Sequence, residues 1–274
     1  MGKILNKKVH KFIDEAGDPN FYGKGGTVIV GQEGVSLCFC LGMVDFKNTN
    51  LDEVRMLIEK KAQEISGSQY YQNIPSVKKR IEKYGKFIFH AKDDLPEIRK
   101  EFFDLIKGVK FSAQVMVGRK IPNLFIKKHN KSENEFYADL LGHLIKDKLK
   151  QKLVLNIASR GKTTNDINLN LAIKKAKDRK LNIEDCQIVF NVQPYDKEPL
   201  LSIVDYALWA IQRVFEKGEI RFYEYIFEKF VTIIDLYDLE NFNQTDSSGK
   251  KEWRNYYNKK NRLTIANKIN PSSS

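Results

Sequence analysis

The stretch from Pro199 to Phe215 constrains this chain more than any other. Its residues Leu200, Leu201, Ile203, Val204, Tyr206, Ala207, Leu208, Trp209, Ala210 and Ile211 leave no wide polar face at helical spacing. A helix apolar almost all round has to be enclosed, so the fold must offer it apolar surface on more than one side. Proline at the first position predicts a helix over 199–215. Asp205 is the only acid inside the run. A carboxylate enclosed there is strongly unfavourable unless it is ion-paired, for instance with Arg160, or bound to a metal ion.

The rest of the chain shows where the enclosing surface comes from. Val9–Ile13 is short and β-branched at both ends, and it runs into Asp-Glu-Ala-Gly-Asp-Pro, so it reads as a strand ending in a cluster of acids. Val35–Phe46 and Phe111–Val117 read as the second and third strands, with a short strand at Phe87–His90. Between them, residues 51–66 have helical period, 68–86 are less regular, and a helix runs from about Pro96 to Lys107. Regular alternation follows: helix Ser132–Leu149, strand Leu153–Ala158, helix Asn165–Asp178, strand Ile188–Val192, then the apolar helix. Three strands followed by helix, strand, helix, strand, helix is the order of an RNase H-like domain. The expected fold is α/β: a mixed five-stranded sheet flanked by helices over residues 9–220, with a largely helical insertion at about 50–108 between the second and third strands. A helix predicted from Phe222 to Ile234 gives a C-terminal helical extension over 221–245, and 246–274 is a basic and aromatic tail ending in the floppy Pro271-Ser-Ser-Ser.

A chain of 274 residues can bury a substantial core, and 42% hydrophobic with 30% charged residues is ordinary for a globular protein. No apolar run approaches the ~20 residues of a membrane helix, and the N-terminal segment has no apolar signal core, so a cytoplasmic protein without membrane contact is expected. Cys38, Cys40 and Cys186 have no zinc-like spacing and read as buried thiols. The net charge of +12 favours a polyanionic partner, and nucleic acid is the commonest. In the tail, Lys250, Lys251, Trp253 and Arg254 interleave cations with an aromatic, which suits phosphate neutralisation and base stacking. The same pattern also fits a packed or solvated terminus. A homodimer or a partner protein is compatible with the chain.

The acids point to a chemistry. Hard cations such as Mg²⁺ or Mn²⁺ beside a phosphate need carboxylates gathered from separate elements. Asp14 ends the first strand on the face of Phe12, and Glu15 points to the opposite face. With Asp205 it forms the expected metal site, and Glu133, on the buried face of its helix at the first turn, is the expected third ligand. Ser132 and Glu135 have capping-box spacing, and Asp139 with His143 reads as a surface pair. His90 is placed to shuttle a proton, Lys92 to steady a phosphate and Arg160 to grip one. His90-Ala-Lys-Asp-Asp reads equally well as the entry loop of the next helix.

Four pieces, FIDEAGDP at 12–19, FHAKDDLPEIRKEFF at 89–103, IASRG at 157–161 and EPLLSIVDYALWAIQRVFEKGE at 198–219, resemble the domain-of-unknown-function 3800 family of bacteria and phages. The resemblance implies an RNase H-like fold, with Asp14, Glu15 and Asp205 as metal-site positions and His90 and Lys92 close by. It also implies a setting in phage defence or a mobile element. The chain departs from the general RNase H pattern at the end of the fourth strand, where Ser159 and Arg160 stand in place of an acid. The expected function is a metal-dependent nuclease acting on RNA or DNA. The alternative is a nucleic-acid-binding or effector-assembly module with little or no catalysis.

Overall fold

The computed structural model describes residues 8–148, 152–159, 166–178, 187–238, 244–245, 251–252 and 255–270. Strands β1 (Val9–Ala16), β2 (Cys38–Asp45) and β3 (Ser112–Arg119) form an antiparallel meander. Strands β4 (Leu153–Ala158) and β5 (Ile188–Gln193) follow in parallel beside β1. On the far side β6 (Phe230–Asp235) lies parallel to β3. The short pair β7 (Gln244–Thr245) and β8 (Lys251–Glu252) stands apart, and β9 (Tyr256–Tyr257) closes that edge. The result is a seven-stranded mixed sheet of order β5-β4-β1-β2-β3-β6-β9.

Alternation along the strands sends side chains to two apolar layers. Phe12, Cys38, Cys40, Val44, Val115 and Val117 face one layer, built by α1 (Leu51–Gly67), α2 (Pro75–Tyr84), α3 (Pro96–Gly108), α7 (Leu201–Lys217) and α8 (Arg221–Ile226). Ile13, Phe39, Leu41, Met116 and Leu155 face the other, built by α4 (Pro122–His129), α5 (Glu133–Ile145) and α6 (Asp166–Asp178). Cys38 and Cys40 lie buried on one face with sulfurs 3.9 Å apart, as the sequence predicts; Cys186 lies outside the described residues. Among the described residues no helix is long and apolar enough to cross a membrane.

Several expectations are corrected. Five strands are expected and seven are found in the sheet, because the segment read as a helix over 222–234 breaks after Ile226 and becomes β6, and the tail adds β9 beside it. Val231, Thr232, Ile233 and Ile234 are all β-branched, which stiffens them against a helix and suits a pleated surface, and β3 offers its open edge. The C-terminal extension is therefore part strand. The tail from Asn255 to Asn270 is packed rather than loose. Leu263 and Ile269 are buried, and the Ile269 N–H donates to the Phe215 carbonyl at 2.8 Å. Residues 68–86 contain α2, with Pro75 at its start and Gly85 in the left-handed region at its end. Phe87–His90 is not a strand, although Phe87 and Phe89 are buried. The apolar helix begins at Leu201, with Pro199 two residues before it.

One contact sets how deeply α7 sits on the sheet. Gly42 is paired with Asp14 across β1 and β2, and a Cβ built on it would stand 2.7 Å from Leu208 Cδ2 and 2.8 Å from its Cγ. The absent side chain admits Leu208, and Asp205 lies one helical turn before Leu208 on α7. Gly42→Ala is expected to destabilise the fold by about 1–3 kcal/mol through overpacking. In urea titrations the loss should be smaller than additive when combined with Leu208→Ala, and strict additivity would show that the two residues do not compete for space.

At the other edge, one guanidinium serves two buried acids. Arg119 donates to Asp235 Oδ2 at 2.8 Å and lies 3.1 Å from Asp238 Oδ2. Burial outweighs Arg119 and lifts the Asp235 carboxyl from 3.8 to about 7. The folded state thus holds a proton that the unfolded chain releases, so this group's contribution to stability declines as pH rises from about 4 to about 7. Asp235→Asn should flatten that decline in denaturation midpoints measured across the same window.

Candidate active-site cleft

Two backbone features build the cleft at the end of β1. Gly17, at φ +91°, takes the chain out of the strand so close to β2 that a Cβ would lie 2.5 Å from the Cys38 carbonyl oxygen. Asp18 then fixes the turn. Its carboxylate accepts the Ser36 N–H at 2.9 Å, the Ser36 hydroxyl at 2.7 Å, the Asn20 N–H at 3.0 Å and the buried Lys120 ammonium at 3.0 Å. Burial disfavours the Asp18 charge, but the Ser36 and Lys120 contacts prevail and hold its carboxyl below the usual range. Asp18 is a structural acid.

The second wall is the segment 89–94, anchored by buried polar contacts. Asp94 is bonded to Arg80 and to the Tyr206 hydroxyl, and accepts the His90 N–H at 3.0 Å. Arg99 donates to the Ala91 carbonyl at 2.8 Å and the Asp94 carbonyl at 2.6 Å, and Ser202 Oγ donates to the Phe89 carbonyl at 3.2 Å. Burial, the largest influence, pushes the Asp94 carboxyl up; Arg80 and Tyr206 pull it back. The segment is a helix-entry loop before α3, and the same anchors bring His90 and Lys92 to the cleft.

Between these walls lies a cleft of about 270 Å³, lined by Glu15, Gly17, His90, Lys92, Ser159, Tyr195, Asp205 and Trp209 among others. Asp205 is 6% exposed, and its Oδ2 accepts the Ala91 N–H at 2.6 Å. Asp14, 2% exposed, is turned toward α7 with Phe12, and its Oδ2 accepts the Tyr195 hydroxyl at 2.6 Å. Tyr195 is itself a lining residue, so Asp14 stands directly behind the wall that Asp205 shares. Glu15 follows the opposite alternation yet reaches the cleft, because the strand ends there. Glu15 and Asp14 also reinforce burial, the main cause, in raising the Tyr137 hydroxyl on α5. The side chain of His90 lies 3.4 Å from Asp93 through Nδ1, and its ring meets Tyr195 edge to face at 6.0 Å between centroids.

Glu133 is not part of this group. It is exposed at the start of α5, and the charged groups that influence it are Asp18 and Lys120 rather than Asp14 or Asp205. The helix begins at Glu133 itself, directly after its Ser132 cap. Asp139 is buried rather than a surface acid, held by Lys128 at 2.8 Å and the Tyr237 hydroxyl at 2.6 Å. Glu135 makes half of the expected capping box. Its N–H donates to Ser132 Oγ at 3.3 Å, while its carboxylate pairs with Lys175 of α6 at 2.7 Å. Arg160, Lys250, Trp253 and Arg254 lie outside the described residues, and Lys251 falls in β8. Tyr195 is a cleft-lining residue that sequence reasoning missed. Its only signal is its place in the crossover from β5 to α7, which has to pass the end of β1.

Among the described residues no three of His, Cys, Asp and Glu are grouped so as to hold a metal ion unaided. The acids nonetheless suit a partial shell, since Mg²⁺ is commonly held by one or two carboxylates, with substrate phosphate and water completing the octahedron. Breaking the Asp94 anchor should be felt throughout the cleft. Asp94→Ala strands a largely buried Arg80 and is expected to cost about 3–5 kcal/mol, read as a lowered urea midpoint. A loss below about 1 kcal/mol would show that the loop is held by its apolar residues alone. In comparisons with known proteins, no protein-family model matches the chain and no curated protein does.

Proposed function

We propose that the protein is a divalent-metal-dependent phosphodiester hydrolase of the RNase H-like kind, acting on RNA or DNA. The observation that carries this reading is that Asp205 of α7 lines one cleft with Glu15, His90, Lys92 and Tyr195, and that the Tyr195 hydroxyl bonds Asp14 of β1 behind that wall. The order β5-β4-β1-β2-β3, with only β2 reversed among those five strands, supports the RNase H-like assignment, as do the four sequence pieces that resemble the domain-of-unknown-function 3800 family.

Asp14, Asp205 and Glu15 are the residues that would hold Mg²⁺ or Mn²⁺. When bound, such an ion supplies positive charge against the phosphate and lowers the pKa of an attacking water. The chain's own groups do the rest. Tyr195 and the Ala91 N–H each bond one carboxylate oxygen, which fixes how Asp14 and Asp205 are presented. Lys92, exposed on the rim, neutralises a non-bridging phosphate oxygen. His90, whose ring meets Tyr195 edge to face at the cleft, would hand a proton to the departing oxygen.

A second reading, a nucleic-acid-binding module with little turnover, is favoured by Ser159 at the end of β4, where an acid would strengthen the site. Cleavage of labelled RNA, DNA and hybrid strands with Mg²⁺ or Mn²⁺ separates the two. Asp14→Ala and Asp205→Asn are expected to lose about a hundredfold or more in rate, and Tyr195→Phe about ten- to a hundredfold in Mn²⁺ affinity. Equal rates in wild type and both acid variants would remove these residues from the chemistry. Metal-independent, salt-sensitive binding without turnover would establish the second reading.

A further inference from the structure

We propose that the acid-lined cleft is one end of a path for a single strand of nucleic acid, which passes over Trp209 and Gln212 and is gripped beyond them by Lys217 and Lys268. The proposal rests on the phosphodiester reading above and specifies the form of its substrate. The cleft adjoins a second hollow of about 630 Å³, and the two share Gly17, Lys92, Trp209 and Gln212 along their borders, so they form one groove.

Charge changes sign along this groove. Asp205 and Glu15 lie at one end, and Lys217 and Lys268, both exposed and with no ion pair among the described residues, lie at the other. Most acids at the far end are already committed. Asp18 is held by Ser36 and Lys120, and Glu216 accepts the N–H groups of Leu37 and Cys38 at 2.7 and 3.0 Å; Glu33 remains on the rim. A polyanion therefore meets free ammonium groups beyond the acids, where it most needs neutralisation.

The spacing suits a strand of several nucleotides. Asp205, Trp209, Gln212 and Glu216 fall on one stripe of α7, Lys217 flanks its far end, and at about 1.5 Å per residue the helix advances about 18 Å from Asp205 to Lys217. That span is about five nucleotides at a stacked spacing of about 3.4 Å, and fewer for an extended strand. Trp209 lines both hollows between the two ends, with the Arg99 and Arg213 guanidinium groups 4.3 and 5.6 Å from its ring centre and Phe222 edge to face at 4.6 Å between centroids. An unpaired base can meet the part of the indole left open to the groove, whereas a base within a duplex cannot.

The test is fluorescence anisotropy on the full chain in EDTA, with a short labelled oligo-rU, an oligo-dT of equal length and a blunt duplex. Lys217→Ala with Lys268→Ala should weaken single-strand binding by about tenfold or more and reduce the salt slope by about 1.4, at about 0.7 per lost phosphate contact. Lys174→Ala with Lys177→Ala, exposed on α6 across the sheet, should change affinity less than about threefold. Preference for the RNA or the DNA strand identifies the substrate, and either supports the path. Equal losses in the two lysine pairs, or duplex bound as tightly as both single strands, would overturn it. Lysine-dependent binding by a wild-type chain that cleaves nothing keeps the path and removes the hydrolase reading. Cleavage by wild type, with binding indifferent to Lys217 and Lys268, does the reverse.

Discussion

The seating of α7 on β2 decides most of what this molecule can do. Leu208 occupies the space that a side chain on Gly42 would take, directly beside Asp14, and the helix therefore approaches the sheet more closely there than a larger residue would allow. Asp205 is carried to the end of β1 by that approach. Each acid accepts a hydrogen bond from a group that no regular element supplies. The donors are the Tyr195 hydroxyl from a crossover and the Ala91 N–H from an anchored loop. Close packing and polar satisfaction are thus two halves of one arrangement.

The anchors of that loop explain why polar residues penetrate the apolar layer around α7. Asp94 joins Arg80, Tyr206 and the His90 N–H, while Glu198 accepts the Arg55 guanidinium through both oxygens, at 3.1 and 2.7 Å, beside the start of α7. These contacts tie the helical insertion to the sheet domain at the cleft's margin. The insertion belongs to the site, because it supplies both the backbone donor for Asp205 and the two candidate side chains of the rim.

Much of this was legible in the chain. The apolar run at 199–215 demanded enclosure, the alternation after Ser132 gave β4, α6, β5 and α7, and the lone acid in the apolar run led to Asp205. What escaped has physical reasons. Phe230–Asp235 follows a helix without a break signal, and its preference for a strand is satisfied only by the distant edge of β3. Glu133 shares a helical face with Phe136 and Leu140, but periodicity does not say how far the first turn is covered, and there its side chain is exposed and feels Asp18 and Lys120. Asp139 is buried because Lys128 of α4 and Tyr237, just beyond β6, both close on it, and neither is visible in the periodicity of α5. Tyr195 sits in a connection, where side-chain direction has no period to follow.

The two sides of the groove are built from unlike material. One is a stripe on a helix whose opposite surface is the middle of the apolar layer, so it cannot shift without disturbing Leu208 and the sheet beneath. The other includes the exposed segment 31–34, in which Gly31 and Gly34 adopt positive φ angles and no Cβ at Gly34 would meet another atom within 4 Å. The helical side is thus fixed by the packing beneath it, whereas the glycine-bearing rim has open space around it and is tied down where Ser36 meets Asp18.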